Sequence, residues 1–143
     1  MRRINEIYLV VAVTCLLLAA CGGGTAARWN GGMYEGDVIV DGVRPTDAKP
    51  EKFKLVTGKT KRTVSMDAGN KYLGNCEIAI DDKYSAGITD DARFAFEEKS
   101  AVCNGVTVHA GDLTLEKEKG TISATVVDPN GRSYTIKING IQK

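Results

Sequence analysis

Few side chains in this chain carry chemistry, and their spacing limits what they can do. His109 is the only histidine. A Ser-His-Asp hydrolase would pair it with Ser65, Ser85, Ser100, Ser123 or Ser133, yet no Gly-x-Ser-x-Gly elbow presents any of them. Thr57-Gly58-Lys59-Thr60 holds the Gly-Lys-Thr of a phosphate loop, but Phe53 stands where the motif needs another Gly. Gly58 reads instead as part of a hairpin turn. Asp81-Asp82 and Asp90-Asp91 supply hard oxygens without the Asp-x-Asp-x-Asp-Gly spacing of a calcium loop, so both read as solvated turns. Lys59, Lys61 and Arg62 read as a solvated strand face. The expectation is no catalytic group, no metal and no cofactor.

The amino end reads differently. Met1-Arg2-Arg3 is followed, after Glu6, by an apolar run of 14 residues from Ile7 to Ala20. A spanning helix needs roughly 17–25 residues, so this run has the length of a signal-peptide core. It ends in Leu18-Ala19-Ala20-Cys21, which resembles the lipobox of bacterial lipoproteins. The resemblance implies cleavage before Cys21, lipid on that cysteine, and anchoring in the cell envelope by two or three acyl chains. In such families an Asp just after the Cys tends to retain the protein at the inner membrane. Gly22 and Gly23 stand here, so the outer membrane is expected, with the domain facing periplasm or surface. The organisation expected is a signal peptide over 1–20, the lipidated Cys and a Gly-rich tether over 21–32, and one domain over 33–143. Eleven flexible residues, 22–32, reach roughly 18–20 Å. Trp29 reads either as a plug at one end of the core or as a membrane-interface or partner contact.

Cleavage discards Cys15 and acylation occupies Cys21, which leaves Cys76 and Cys103 in a chain sent to an oxidising compartment. A disulfide is expected. It closes a loop of 28 residues, both ends included, worth about 3–4 kcal/mol in the chain-entropy account. A redox pair would want Cys-x-x-Cys, and a zinc site would want more Cys or His than the chain has. Without its first 20 residues the chain carries 17 basic and 17 acidic side chains. That balance leaves no electrostatic footprint for nucleic acid or anionic lipid. Membrane attachment has to come from the acyl chains on Cys21.

From Tyr34 onward the apolar positions recur every second residue. Val38 and Val40, Phe53 and Leu55, Val64 and Met66, then Cys76, Ile78 and Ile80 each share a face. The later half repeats this in Val106-Thr107-Val108, Leu113-Thr114-Leu115, Thr121 to Val127 and Arg132 to Ile141, with Gly111 marking a bulge or turn. Ile122, Ala124 and Val126, and Tyr134, Ile136 and Ile138, point inward. Such alternation marks half-buried antiparallel strands. Asp41-Gly42 and Asp128-Pro129-Asn130-Gly131 are turns. Residues 89–99 suit a capped helix by composition, but Phe94 and Phe96 share a face only in a strand, and strand is the reading taken. About eight short strands with hairpin-length connections predict an all-β fold, a single up-and-down antiparallel β-barrel, with a β-sandwich as the alternative.

Trp29 before Tyr34-Glu35-Gly36, the pair Cys76 and Cys103, and the closing Tyr134-Thr135-Ile136-Lys137-Ile138-Asn139-Gly140 are similar to small bacterial lipoproteins with a lipocalin-like (calycin) barrel. Ala27-Arg28-Trp29 departs from the Gly-x-Trp of lipocalins. The function expected is a lipid-anchored, non-catalytic binding or interaction module of the envelope. A carrier of a small apolar ligand and a protease-inhibitor-like protein are the alternatives, and a hydrolase comes last. The partners expected are the membrane, through Cys21, and either a small apolar ligand or an envelope protein.

Overall fold

The computed structural model describes residues 32–57, 62–81 and 91–143. Among them are nine strands and no helix: β1 Met33–Val40, β2 Glu51–Thr57, β3 Arg62–Met66, β4 Cys76–Asp81, β5 Asp91–Phe96, β6 Ala101–Cys103, β7 Val106–Glu116, β8 Lys119–Val127 and β9 Ser133–Gln142. All pairings are antiparallel. The order β5-β4-β3-β2-β1-β9-β8-β7 closes on itself through a β5–β7 ladder, which makes an eight-stranded barrel. The remaining strand, β6, extends the line of β5 along β7. The architecture is therefore a closed up-and-down barrel of lipocalin-like type, and the sandwich alternative falls.

Period-two patterning builds this wall directly. Tyr34, Val38, Leu55, Val64, Ile78, Val108, Leu113, Leu115, Ile122, Val126, Ile136 and Ile138 are all fully buried inside. Each large apolar side chain so buried contributes about 1.5–3 kcal/mol. Their strand neighbours, such as Lys52, Lys54, Glu77, Arg93, Ser123, Thr135, Lys137 and Asn139, face out and are exposed. A membrane-spanning barrel has the opposite polarity, with an apolar outer band and a polar interior. The side chains of this barrel seal its inside and leave its outside to water.

The turns follow their chemistry. Asp41 and Gly42 both take positive φ, 47° and 79°, and Val40 and Val43 exchange backbone hydrogen bonds of 2.8 and 2.9 Å. Asn104 and Gly105 do the same between β6 and β7, with φ of 49° and 86°. These are the tight turns whose twist suits a hairpin. At the last turn the Asp128 carboxylate accepts from Asn130 N and Arg132 N, both at 2.9 Å, and Gly131 takes φ 82°. Gly111 does not end a strand. β7 runs through it, with a register shift between Val108 and Ala110. The Phe94 and Phe96 stretch is strand β5, as their shared face requires.

One row of the wall is made of glycine. Gly36 of β1 lies opposite Gly140 of β9, which lies opposite Gly120 of β8. The Tyr34 ring crosses over this row and stacks on Phe53, with centroids 5.3 Å apart. A Cβ on Gly120 would sit 2.8 Å from the Tyr34 ring, and one on Gly140 would sit 3.0 Å from both Tyr34 and Phe53. The glycines are what give two stacked aromatics room in so narrow a barrel.

Candidate functional site

The cysteine pair lies where the barrel wall is weakest. Cys76 opens β4 and Cys103 ends β6, and their sulfurs sit 1.95 Å apart, at bonding distance. Above them β4 meets β5 through two described pairs, Ile80 opposite Phe96 and Asp81 opposite Ala95, and Glu97 N donates to Ala79 O at 2.9 Å. Between these contacts and the disulfide, residues 77–78 of β4 and residues 98–102 form no ladder pair among the described residues. The extra residues turn back on themselves: Ser100 N donates to Glu97 O, and Lys99 takes φ 52°. The Ser100 hydroxyl is buried without a partner among the described residues, which typically costs about 1–3 kcal/mol. The covalent bridge joins β4 to β6 at this seam, and Ile78, Ala101 and Cys103 are all buried.

Cys76 and Cys103 differ in access. Cys103 is fully buried, while Cys76 is half-buried and, with Phe53 and Met66, is among the residues lining an open cleft of about 400 Å³ at β2, β3 and β4. The outward side chains Lys54, Ser65 and Glu77 form a row there, each opposite the next in register. Asp67 and Asn75 close one side and Met33 the other. A second concavity, about 600 Å³, lies on the β7–β8 turn residues Glu116 to Lys119 and gathers no apolar or nucleophilic group.

Nearby, residues 67–75 fold inward as a plug. Leu73 is fully buried. Glu51, the first residue of β2, is 2% exposed, and its carboxylate accepts from the backbone N–H groups of Tyr72 and Leu73. Burial pushes the Glu51 carboxyl above its ordinary value, and the backbone donors at Tyr72, Leu73 and Lys71 oppose that shift. Asn70 holds both backbone groups of Lys52, accepting from N at 2.8 Å and donating to O at 2.7 Å, and it also donates to Leu73 O. Asn104, in the turn just after Cys103, donates to Asn70 O at 2.7 Å. Outside the plug, Lys71 pairs with Asp47, which holds the Asp47 carboxyl below and the Lys71 ammonium above their ordinary values.

The other candidate residues stay apart. His109 is half-buried on β7 beside the register shift. Among the described residues it forms no hydrogen bond with a serine. Ser65 lines the cleft, Ser100 is buried in the seam, and Ser123 and Ser133 are exposed. Thr57 ends β2 and the next element is strand β3, where a phosphate loop would need a helix. Arg62 lies over the buried Phe94 ring, 5.9 Å from its centroid. No group of three or more His, Cys, Asp or Glu able to hold a metal occurs among the described residues. Cys21, Trp29, Gly58, Lys59, Lys61, Asp82, Ser85 and Asp90 lie outside the described residues.

The plug network was missed by sequence reasoning, although one signal for it existed. Glu51 has the same parity as Phe53 and Leu55, so it must point inward if they do. Compared with known proteins, the chain matches no family model, no curated protein and no solved structure.

Proposed function

We propose that this is a lipid-anchored protein of the bacterial cell envelope, held through Cys21 in the outer membrane. In this reading its barrel is a non-catalytic binding or interaction module that works through its outer surface. The anchor rests on Leu18-Ala19-Ala20-Cys21 after a short apolar run with a basic start. The polarity of the barrel supports it: a wall polar outside and apolar inside has no belt to enter lipid, so attachment falls to the amino end. The surface role rests on the interior, where Tyr34, Phe53, Phe94, Leu55 and Leu73 are each at most 1% exposed. An eight-stranded barrel is just wide enough for such side chains. Glu51 and the pair Asp47 and Lys71, all shifted from their ordinary values, are engaged in holding the plug, which favours a module over an enzyme.

The test is replacement of the thiol. The Cys21→Ser protein should lose its acyl mass and leave the membrane fraction for the soluble one. A variant that still sediments with membranes would overturn the anchor.

A further inference from the structure

We infer that the cleft at β2, β3 and β4 binds a short zwitterionic peptide, with its carboxylate on Lys54 and its ammonium on Glu77. The inference rests on the reading of the barrel as a module that works through its outer surface, and names a site and a ligand class for it. The first observation is charge left unmatched. Across the outer wall, Lys52 meets Glu35, which lies opposite it in register, and Arg93 meets Asp112. Lys54, Asp67 and Glu77 all line the cleft, yet among the described residues none of them forms an ion pair. A charge of that kind gives up only water when a ligand arrives, with no existing pair to break.

The second observation is spacing. Ser65 lies opposite Lys54 on one side and opposite Glu77 on the other, so the cation and the anion stand two strands apart. At roughly 4.8 Å per strand, their backbones are about 10 Å apart. Three extended residues span about 10–11 Å, which matches a tripeptide with free ends.

The third observation is the lining. Ser65 and Asn75 bring a hydroxyl and an amide to it, able to pair with peptide N–H and C=O groups. Met33, 36% exposed, offers an apolar contact for a side chain. The volume of about 400 Å³ falls in the range of small-ligand sites, roughly 300–1,000 Å³.

The test titrates Ala-Leu-Ala, free at both ends, into the isotope-labelled full chain in nonionic detergent, followed by NMR. Amides of residues 54, 65–67 and 75–77 should shift. Exposed ion pairs are individually weak, so saturation is expected at about millimolar concentration. The N-acetyl and C-amide forms of the peptide should each bind about threefold more weakly. Lys54→Gln should erase the difference between the free and amide forms, and Glu77→Gln that between the free and acetyl forms. Both side chains are exposed, so neither change threatens the fold. No shift by about 20 mM peptide, shifts away from the cleft, or equal binding of the blocked peptides would overturn the inference. The Cys21→Ser protein should bind the peptide equally, which keeps a failed anchor distinct from a failed cleft.

Discussion

Gly36 shows how little slack the barrel has. A Cβ there would lie 1.8 Å from the backbone oxygen of Asn139, closer than any side chain can adjust to. Gly36→Ala must therefore push β1 away from β9 or fail to close. We expect a loss of about 3 kcal/mol or more, at the upper end of overpacking, read from the urea midpoint. Tyr34, two residues earlier, is the reason for the tight fit. Its ring needs the glycine row, and its buried hydroxyl has no partner among the described residues. Burial accordingly raises the phenol above its ordinary value. Tyr34 has the parity of Val38 and Val40, which the alternation put on one face. The alternation did not predict the glycine row, because Gly36, Gly120 and Gly140 meet only once three distant strands are in register.

At the scale of elements, the plug and the seam make separate predictions. Glu51 has a raised folded-state value, so its protonated form favours the fold. Its stabilising contribution is present below the ordinary carboxylate range and is lost as pH rises through the raised value. The wild-type protein should lose stability across that window, and Glu51→Gln should flatten the difference. Urea melts of both proteins from pH 4 to pH 7 will show it. The seam depends on its bridge instead. A Cys76→Ala, Cys103→Ala double variant should lose about 3–4 kcal/mol by the loop-entropy argument, measured the same way. The pairing of these cysteines was legible from their number and from the export that Leu18-Ala19-Ala20-Cys21 led us to expect. The broken line of β5 and β6 was not, since Glu97-Glu98-Lys99-Ser100 carries no turn signal as plain as the Asn104-Gly105 that follows it.

For the whole molecule, alternation and turn chemistry were enough to predict an all-β barrel. Each strand announces its inward face locally, and a run of short connections leaves a meander as the simplest path. Closure was less visible. The β1–β9 and β5–β7 ladders join segments far apart in sequence, and only edge avoidance argued for them. On the β5–β7 ladder the Arg93 guanidinium meets Asp112 across the outer face, a pair no local pattern reveals. The filled interior bears on function at this scale. Native mass spectrometry of protein extracted from cells should give the mass of the protein with no small molecule retained. A retained small molecule would instead favour the carrier reading.

The β1–β9 ladder carries a further consequence, one of timing. Seven residues of β1, Tyr34 to Val40, find their second neighbour in Ile136 to Gln142. A chain synthesised amino end first therefore holds its earliest strand half-satisfied until its latest has emerged. The β7–β8–β9 hairpins can form as they emerge, for their contacts are short-range and quick. The ring itself has to wait, and during that interval the apolar flank of β1 is what a chaperone would meet.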